Sequence, residues 1–202
     1  MSTVVTISAS YGAGGSWVGP RLAERLGYQF IDRAIPMQVA ERLSVPVAHA
    51  HAHDEAAAPR LTRLLARLPN TSGVVVPEPT TDAFCRETER ILLDAARSGD
   101  VVLLGRAGAL VLHEQPHALH VRLDGPKEAR IFQAMRIEEI DEHEARRRQR
   151  NSDRSRVDYV KQFYRADPSH SRHYHLMLDS TAVALPTCVE LIVTAIGADA
   201  QS

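Results

Sequence analysis

Between Val4 and Asp32 the chain reads VVTISASYGAGGSWVGPRLAERLGYQFID. This is an apolar run, a glycine-rich turn, an amphipathic segment and a second apolar run, and the order limits what the chain can fold into. Val4, Val5 and Ile7 form a β-branched stretch suited to a strand buried on both faces of a parallel sheet. After the turn, Val18, Leu22, Ala23 and Leu26 recur at helical spacing with Arg21, Glu24 and Arg25 opposite them, and Gly27 stands where a helix ends on a left-handed residue. Tyr28 to Ile31 predicts a second short strand ending at Asp32. A strand that enters a helix through a glycine turn points backbone N–H groups and a helix N-terminus at one spot, which makes an anion nest.

The same alternation continues downstream. A helix is expected over Ile35–Leu43, and another starts at the capping residue Thr81, with Phe84, Thr88, Ile91, Leu92 and Ala95 on one face and Ser98-Gly99-Asp100 at its end. Val101 to Leu104 predicts a buried strand broken by Gly105-Arg106-Ala107-Gly108. Ala118 to Leu123 predicts another, and Gly125-Pro126 opens a helix from Lys127 to about Ile137. A charged segment, EEIDEHEARRRQRNSDRSR, precedes a helix through Val157, Val160 and Phe163. Tyr174 to Leu178 is the last expected strand and Pro186 to Ile196 the closing helix. Strands separated by helices, with no hairpin dipeptides, imply parallel pairing. Residues 1–202 therefore read as a single α/β domain, with 44–80 as a helical excursion on loose Pro, Gly and Ser-rich connections.

Composition narrows the function classes. A net charge of -1 gives the whole molecule no attraction for nucleic acid or an anionic membrane, so an anion site must come from local clustering. No apolar run approaches the roughly 20 residues a membrane span needs. The two cysteines, Cys85 and Cys188, lie far apart and a strand pattern starts at once, so a reduced, cytoplasmic protein is expected.

The loop itself departs from the common phosphate-binding pattern G-x-x-x-x-G-K-[ST], in which the lysine meets the outer phosphates and the hydroxyl meets magnesium. In Ala9-Ser10-Tyr11-Gly12-Ala13-Gly14-Gly15-Ser16 the first glycine is Ala9 and the lysine is Gly15, while the hydroxyl survives as Ser16, a candidate magnesium contact. Either this is a tight turn without a ligand, or the backbone of Gly12, Ala13, Gly14, Gly15 and Ser16 holds an anion.

Three blocks together resemble the cytidylate kinase-like family of nucleoside monophosphate kinases, within the P-loop NTPase superfamily. They are the opening stretch, then GDVVLLGRAGALVLHEQPHALHVRLDGPKEAR, then RNSDRSRVDYVKQFY with HLMLDSTAVAL, in that order over about two thirds of the chain. The resemblance implies a three-layer parallel sheet flanked by helices, a helical excursion for the monophosphate at 44–80 and an arginine-bearing lid at 138–158. It implies phosphoryl transfer from ATP, with magnesium, to a nucleoside monophosphate, CMP or dCMP favoured; nucleic-acid binding through the arginine run is the minor alternative, given the net charge. In this chain Gly12 to Ser16 would be the donor loop and Asp32 would face the acceptor. Arg106 and Arg156 would grip the acceptor phosphate, Asp153 and Arg156 would belong to the cytidine and phosphate element, and Arg130 and Arg136 are candidates for the lid. Relatives carry an Arg-Glu pair before the Tyr-Gly and an arginine after the Gly-Gly; here those positions are Ala9, Ser10 and Trp17. With both cations gone, Arg21 or the arginines of 146–156 would have to replace them, or the protein is a pseudokinase that binds an anion without catalysis.

Two clusters have competing readings. Arg146 to Arg148 follow Glu138, Glu139, Asp141, Glu142 and Glu144, so they read either as a solvated face laced by i, i+4 pairs or as anion contacts. His49, His51, His53 and Asp54 suggest metal ligands on an extended segment, or solvated loop residues.

Overall fold

The structure is a computed structural model that describes residues 3–32, 81–105 and 107–199. The expected helix at Ile35–Leu43, the 44–80 excursion with its histidines, and Arg106 lie outside the described residues.

The element order is β1 (Val4–Ala9), α1 (Gly15–Leu26), β2 (Gln29–Ile31), α2 (Thr81–Ser98), β3 (Val101–Leu104), α3 (Gly108–Val111), β4 (Ala118–Asp124), α4 (Lys127–Glu138), α5 (Glu142–Tyr164), a 3-10 turn at Ser171–His173, β5 (Leu176–Asp179) and α6 (Leu185–Asp199). The five strands form one sheet in the order β2-β3-β1-β4-β5, and every pair is parallel. β1 is central, so the loop that follows it leaves from the middle of the sheet's carboxyl edge, the usual place for ligands in open α/β sheets.

Because side chains alternate along β1, its two faces meet different layers. Val5 and Ile7 pack with Val102, Leu119, Val121 and Leu123 against Val18 and Leu22 of α1 and Cys188 and Ile192 of α6. Val4 packs with Val101, Leu103 and Ala118 against Phe84, Ile91 and Leu92 of α2 and Leu112. Each fully buried aliphatic side chain here contributes about 1.5–3 kcal/mol.

The second face changes character towards the carboxyl edge. Thr6 and Ser8 lie opposite His120 and Arg122 in the β1–β4 register. A charged residue inside an apolar strand is costly to bury without partners, and Arg122 is 8% exposed. This polar end of the sheet is the floor of the candidate site.

The charged segment is not a separate piece. Most of it belongs to α5, a 23-residue helix that starts ahead of the expected one through Val157. Asp141 caps it by accepting the Glu144 N–H at 2.8 Å, within a D-x-x-E start that is a capping signal. Stretch 138–158 thus covers the last residue of α4, a short turn and most of α5. Arg146, Arg147 and Arg148 each pair with glutamates: Arg146 with Glu128 and Glu142, Arg147 with Glu144, Arg148 with Glu138 and Glu144. The solvated-face reading describes them.

Candidate functional site

The loop Ser10–Ser16 is shaped from outside. Gly12 and Gly14 both adopt left-handed backbone at φ 77°, and a Cβ on Gly12 would run into the Arg130 carbonyl. Three successive carbonyls are drawn outward by side chains. Arg130 Nη1 donates to Tyr11 O at 2.7 Å, Gln133 Nε2 donates to Gly12 O at 3.0 Å, and Ser180 Oγ donates to Ala13 O at 2.7 Å. Turning the carbonyls out turns the neighbouring N–H groups in. Among the described residues the N–H groups of Gly12, Gly14, Gly15 and Ser16 meet no acceptor, whereas Ala13 N–H closes a turn onto Ser10 O. The first turn of α1 holds no acidic residue, so its positive end is unopposed. A nest of this kind suits phosphate oxygens.

The missing lysine has a steric counterpart. A Cβ at Gly15 would lie 2.6 Å from the Ala9 Cβ and 3.1 Å from Leu104 Cδ1. The glycine and the side chain of the usual pattern have changed places, and Ala9 fills the space a side chain at 15 would need. Arg21, an expected substitute, is turned elsewhere: its guanidinium lies 3.9 Å over the Trp17 ring and donates to Trp17 O.

Beside the loop lies a groove with a volume of about 590 Å³, lined by Trp17, Gln133, Arg136, Thr181 and Leu185 among others; it adjoins the loop through Trp17 and through Gln133, the donor to Gly12 O. Arg136 is exposed there, and Ser16 is exposed at the start of α1. The other side holds three arginines. Arg122 donates to Ser8 Oγ at 3.1 Å, to Ser10 Oγ at 2.8 Å and to Asp124 Oδ2 at 2.9 Å, while its Nε is buried without an acceptor. Burial pushes the Asp124 carboxyl up, but Arg122 and Ser10 outweigh it and hold the group below the ordinary carboxylate range. Arg130 is 7% exposed and also donates to Gly125 O and Asp153. It braces the loop and is not free at the surface.

Arg156 completes this side. Surrounding protein lowers its pKa first, Arg122 and Arg130 lower it further, and Asp153 and Asp32 oppose them. Half of its side chain is still exposed, so it is crowded by protein atoms yet open to water, and an arginine there stays charged. Asp153 accepts the Tyr11 N–H at 2.8 Å.

The structure therefore brings Gly12–Ser16, Arg130, Asp153, Arg156 and Asp32 to one end of the sheet, with Arg136 on the groove side; Arg106 is outside the described residues. Sequence reading missed Arg122, Gln133 and Ser180. Each had a signal: a charge inside LHVRL, a polar residue one turn after Arg130, and the serine that follows the Leu-Asp strand end. Among the described residues no three His, Cys, Asp or Glu side chains cluster to hold a metal, and no helix is long and apolar enough to cross a membrane.

A cytidylate kinase of Methanopyrus kandleri is 29% identical to the chain over 189 residues, which cover 90% of this chain and 86% of that protein. Among solved structures, an uncharacterized protein from Eubacterium ventriosum superposes with a TM-score of 0.69 at 16% identity, covering 96% of this chain and 98% of that one. Shikimate kinase from Acinetobacter baumannii in complex with shikimate superposes at 0.52 with 14% identity, covering 98% and 95%; both likenesses concern the fold. The model of the cytidylate kinase-like family matches residues 4–182, and the chain belongs to that family.

Proposed function

We propose that the protein transfers the terminal phosphoryl group of ATP to a nucleoside monophosphate, with CMP or dCMP as the favoured acceptor. The observation that carries this reading is the loop in which Arg130, Gln133 and Ser180 engage three successive carbonyls while, among the described residues, the N–H groups of Gly12, Gly14, Gly15 and Ser16 meet no acceptor. Family membership supports the reaction class. In this reading the donor phosphates lie on Gly12–Ser16 with the nucleoside in the Trp17 groove. Arg156, Arg106 and the Arg122 floor hold the acceptor phosphate near Asp32. An acceptor phosphate oxygen forms the new bond to the terminal phosphorus as the bond to the leaving ADP oxygen breaks.

Phosphoryl transfer needs little from a protein beyond placement and neutralisation of spreading charge. In this reading Arg136, which lines the groove, stands in for the absent lysine. Magnesium binds through few protein ligands and many waters and phosphate oxygens, so the Ser16 hydroxyl suffices as its protein contact. When bound, it would neutralise phosphate charge.

The sealed position at Gly15 favours a second reading, a nucleotide-binding module with feeble or no turnover. Losing one directed cation costs about 10³ to 10⁵ in rate, or about 4–7 kcal/mol of transition-state stabilisation. One assay separates the two: ADP release from ATP and magnesium with CMP, dCMP, UMP or AMP. Kinase activity predicts release that depends on CMP or dCMP and is lost in Gly12→Ala. Nucleotide binding by calorimetry without acceptor-dependent release above that variant would leave the binding module.

A further inference from the structure

Asp153 stands in the element that family resemblance assigns to the cytidine and phosphate site, yet its carboxylate is already engaged by protein donors. Oδ1 accepts the Tyr11 N–H at 2.8 Å and lies 3.8 Å from Arg156 Nη1. Oδ2 accepts Arg130 Nη1 and Gln149 Nε2, each at 2.9 Å. A carboxylate has about four acceptor positions; hydrogen bonds from Tyr11, Arg130 and Gln149 fill three of them, and Arg156 approaches at a distance beyond hydrogen bonding. The side chain is 23% exposed, so little of it faces a ligand.

The contacts form a closed ring. Tyr11 is held at its N–H by Asp153 and at its carbonyl by Arg130, and those two side chains are bonded to each other. Tyr11 immediately precedes the N–H groups of the nest. Arg156 Nη1 lies 3.8 Å from the same carboxylate, and Arg156 is not among the residues lining the Trp17 groove.

We propose that Asp153 is a positioning residue that couples the donor loop to the acceptor-side arginine and makes no contact with the acceptor base. This rests on the donor-loop reading above. Asp153 fixes the backbone at Tyr11, so that the nest stays open to phosphate, and orients Arg156 through the same carboxylate. Selectivity among acceptor bases must then be set by other residues.

The test uses Asp153→Asn, which keeps one oxygen for the Tyr11 N–H but presents an amide to the donors of Arg130 or Gln149. Inorganic tripolyphosphate is the probe, because it engages the loop without a base or any turnover. Calorimetric affinity for tripolyphosphate should fall about tenfold or more, as expected for the loss of a charge-assisted hydrogen bond. The KM for ATP should rise, while the ratio of kcat/KM among CMP, UMP and AMP stays fixed. A variant that binds tripolyphosphate like the wild type, or that changes the ratio among bases, would overturn the proposal alone. Wild-type protein that binds no tripolyphosphate would overturn the donor-loop reading and this proposal together. A measurement on the unsubstituted protein guards against a variant that does not fold: hydrogen exchange at the Tyr11 amide should be slow without ligand, and exchange at the rate of an open loop would refute the ring.

Discussion

Gly15 and Ala9 show how a single position in the loop is decided by a residue six places away. A side chain at 15 must displace the Ala9 methyl and press on Leu104, and overpacking of this kind costs about 1–3 kcal/mol. Restoring the common pattern by Gly15→Lys alone should therefore lower the melting temperature and weaken ATP binding. The double substitution Ala9→Gly with Gly15→Lys frees the space and should return the melting temperature towards the wild type while tightening ATP binding about tenfold or more, as a directed cation meets the outer phosphates. Thermal unfolding and ATP calorimetry on both variants check this. If the single variant is as stable and as tight as the double, the exchange of places has no steric meaning. The two substitutions have opposite signs alone and together only because the residues touch, which makes them a coupled pair.

Among elements, β4 is the strand that carries a histidine and an arginine into the interior. His120 is 3% exposed, shares a 2.8 Å hydrogen bond with Thr6 Oγ1, and stacks on His175 with ring centroids 4.9 Å apart. Burial first, then the neighbouring His175, pushes its pKa down to about 4 from 6.5. The folded state therefore keeps a neutral ring where the unfolded chain takes up a proton. This contribution is present in full above pH 6.5 and is lost as pH falls through the window from 6.5 to about 4, with a slope approaching about 1.4 kcal/mol per pH unit. Urea unfolding at pH 7.5, 6.5, 5.5 and 4.5 should show a steeper acid loss in the wild type than in His120→Asn; parallel curves would refute it. The strands and helices around this interior were legible because periodicity and punctuation are local: Gly27 ends α1 as its position implies, and the described strands pair in parallel as their spacing required. The junction of α4 and α5 was misjudged because charge density masked the Asp141 cap. Gln133 and Ser180 could be noticed as polar residues beside the expected elements but not assigned to the loop, since their bonds to Gly12 and Ala13 span 121 and 167 residues.

At the scale of the whole molecule, the central strand divides the site into two sides that meet at the loop. The α1 and α6 layer borders the groove of Trp17, Gln133 and Arg136, and the polar sheet floor borders Arg122, Arg156 and Asp32. If the groove takes the donor nucleoside and the floor takes the acceptor, the two ligands report differently on one built-in probe. Trp17 is the chain's single tryptophan, it lines the groove, and its ring already carries the Arg21 guanidinium at 3.9 Å. A nucleotide entering there must displace or restack that pair, because aromatic and guanidinium faces compete for the same ring. Titration with ATP should therefore change the tryptophan emission, and titration with CMP alone should leave it unchanged. Added after ATP, CMP should alter emission only as far as it alters ATP occupancy. A CMP-only response as large as that to ATP would place the acceptor in the groove and reverse the two sides, and with them the roles given to Arg136 and Arg156.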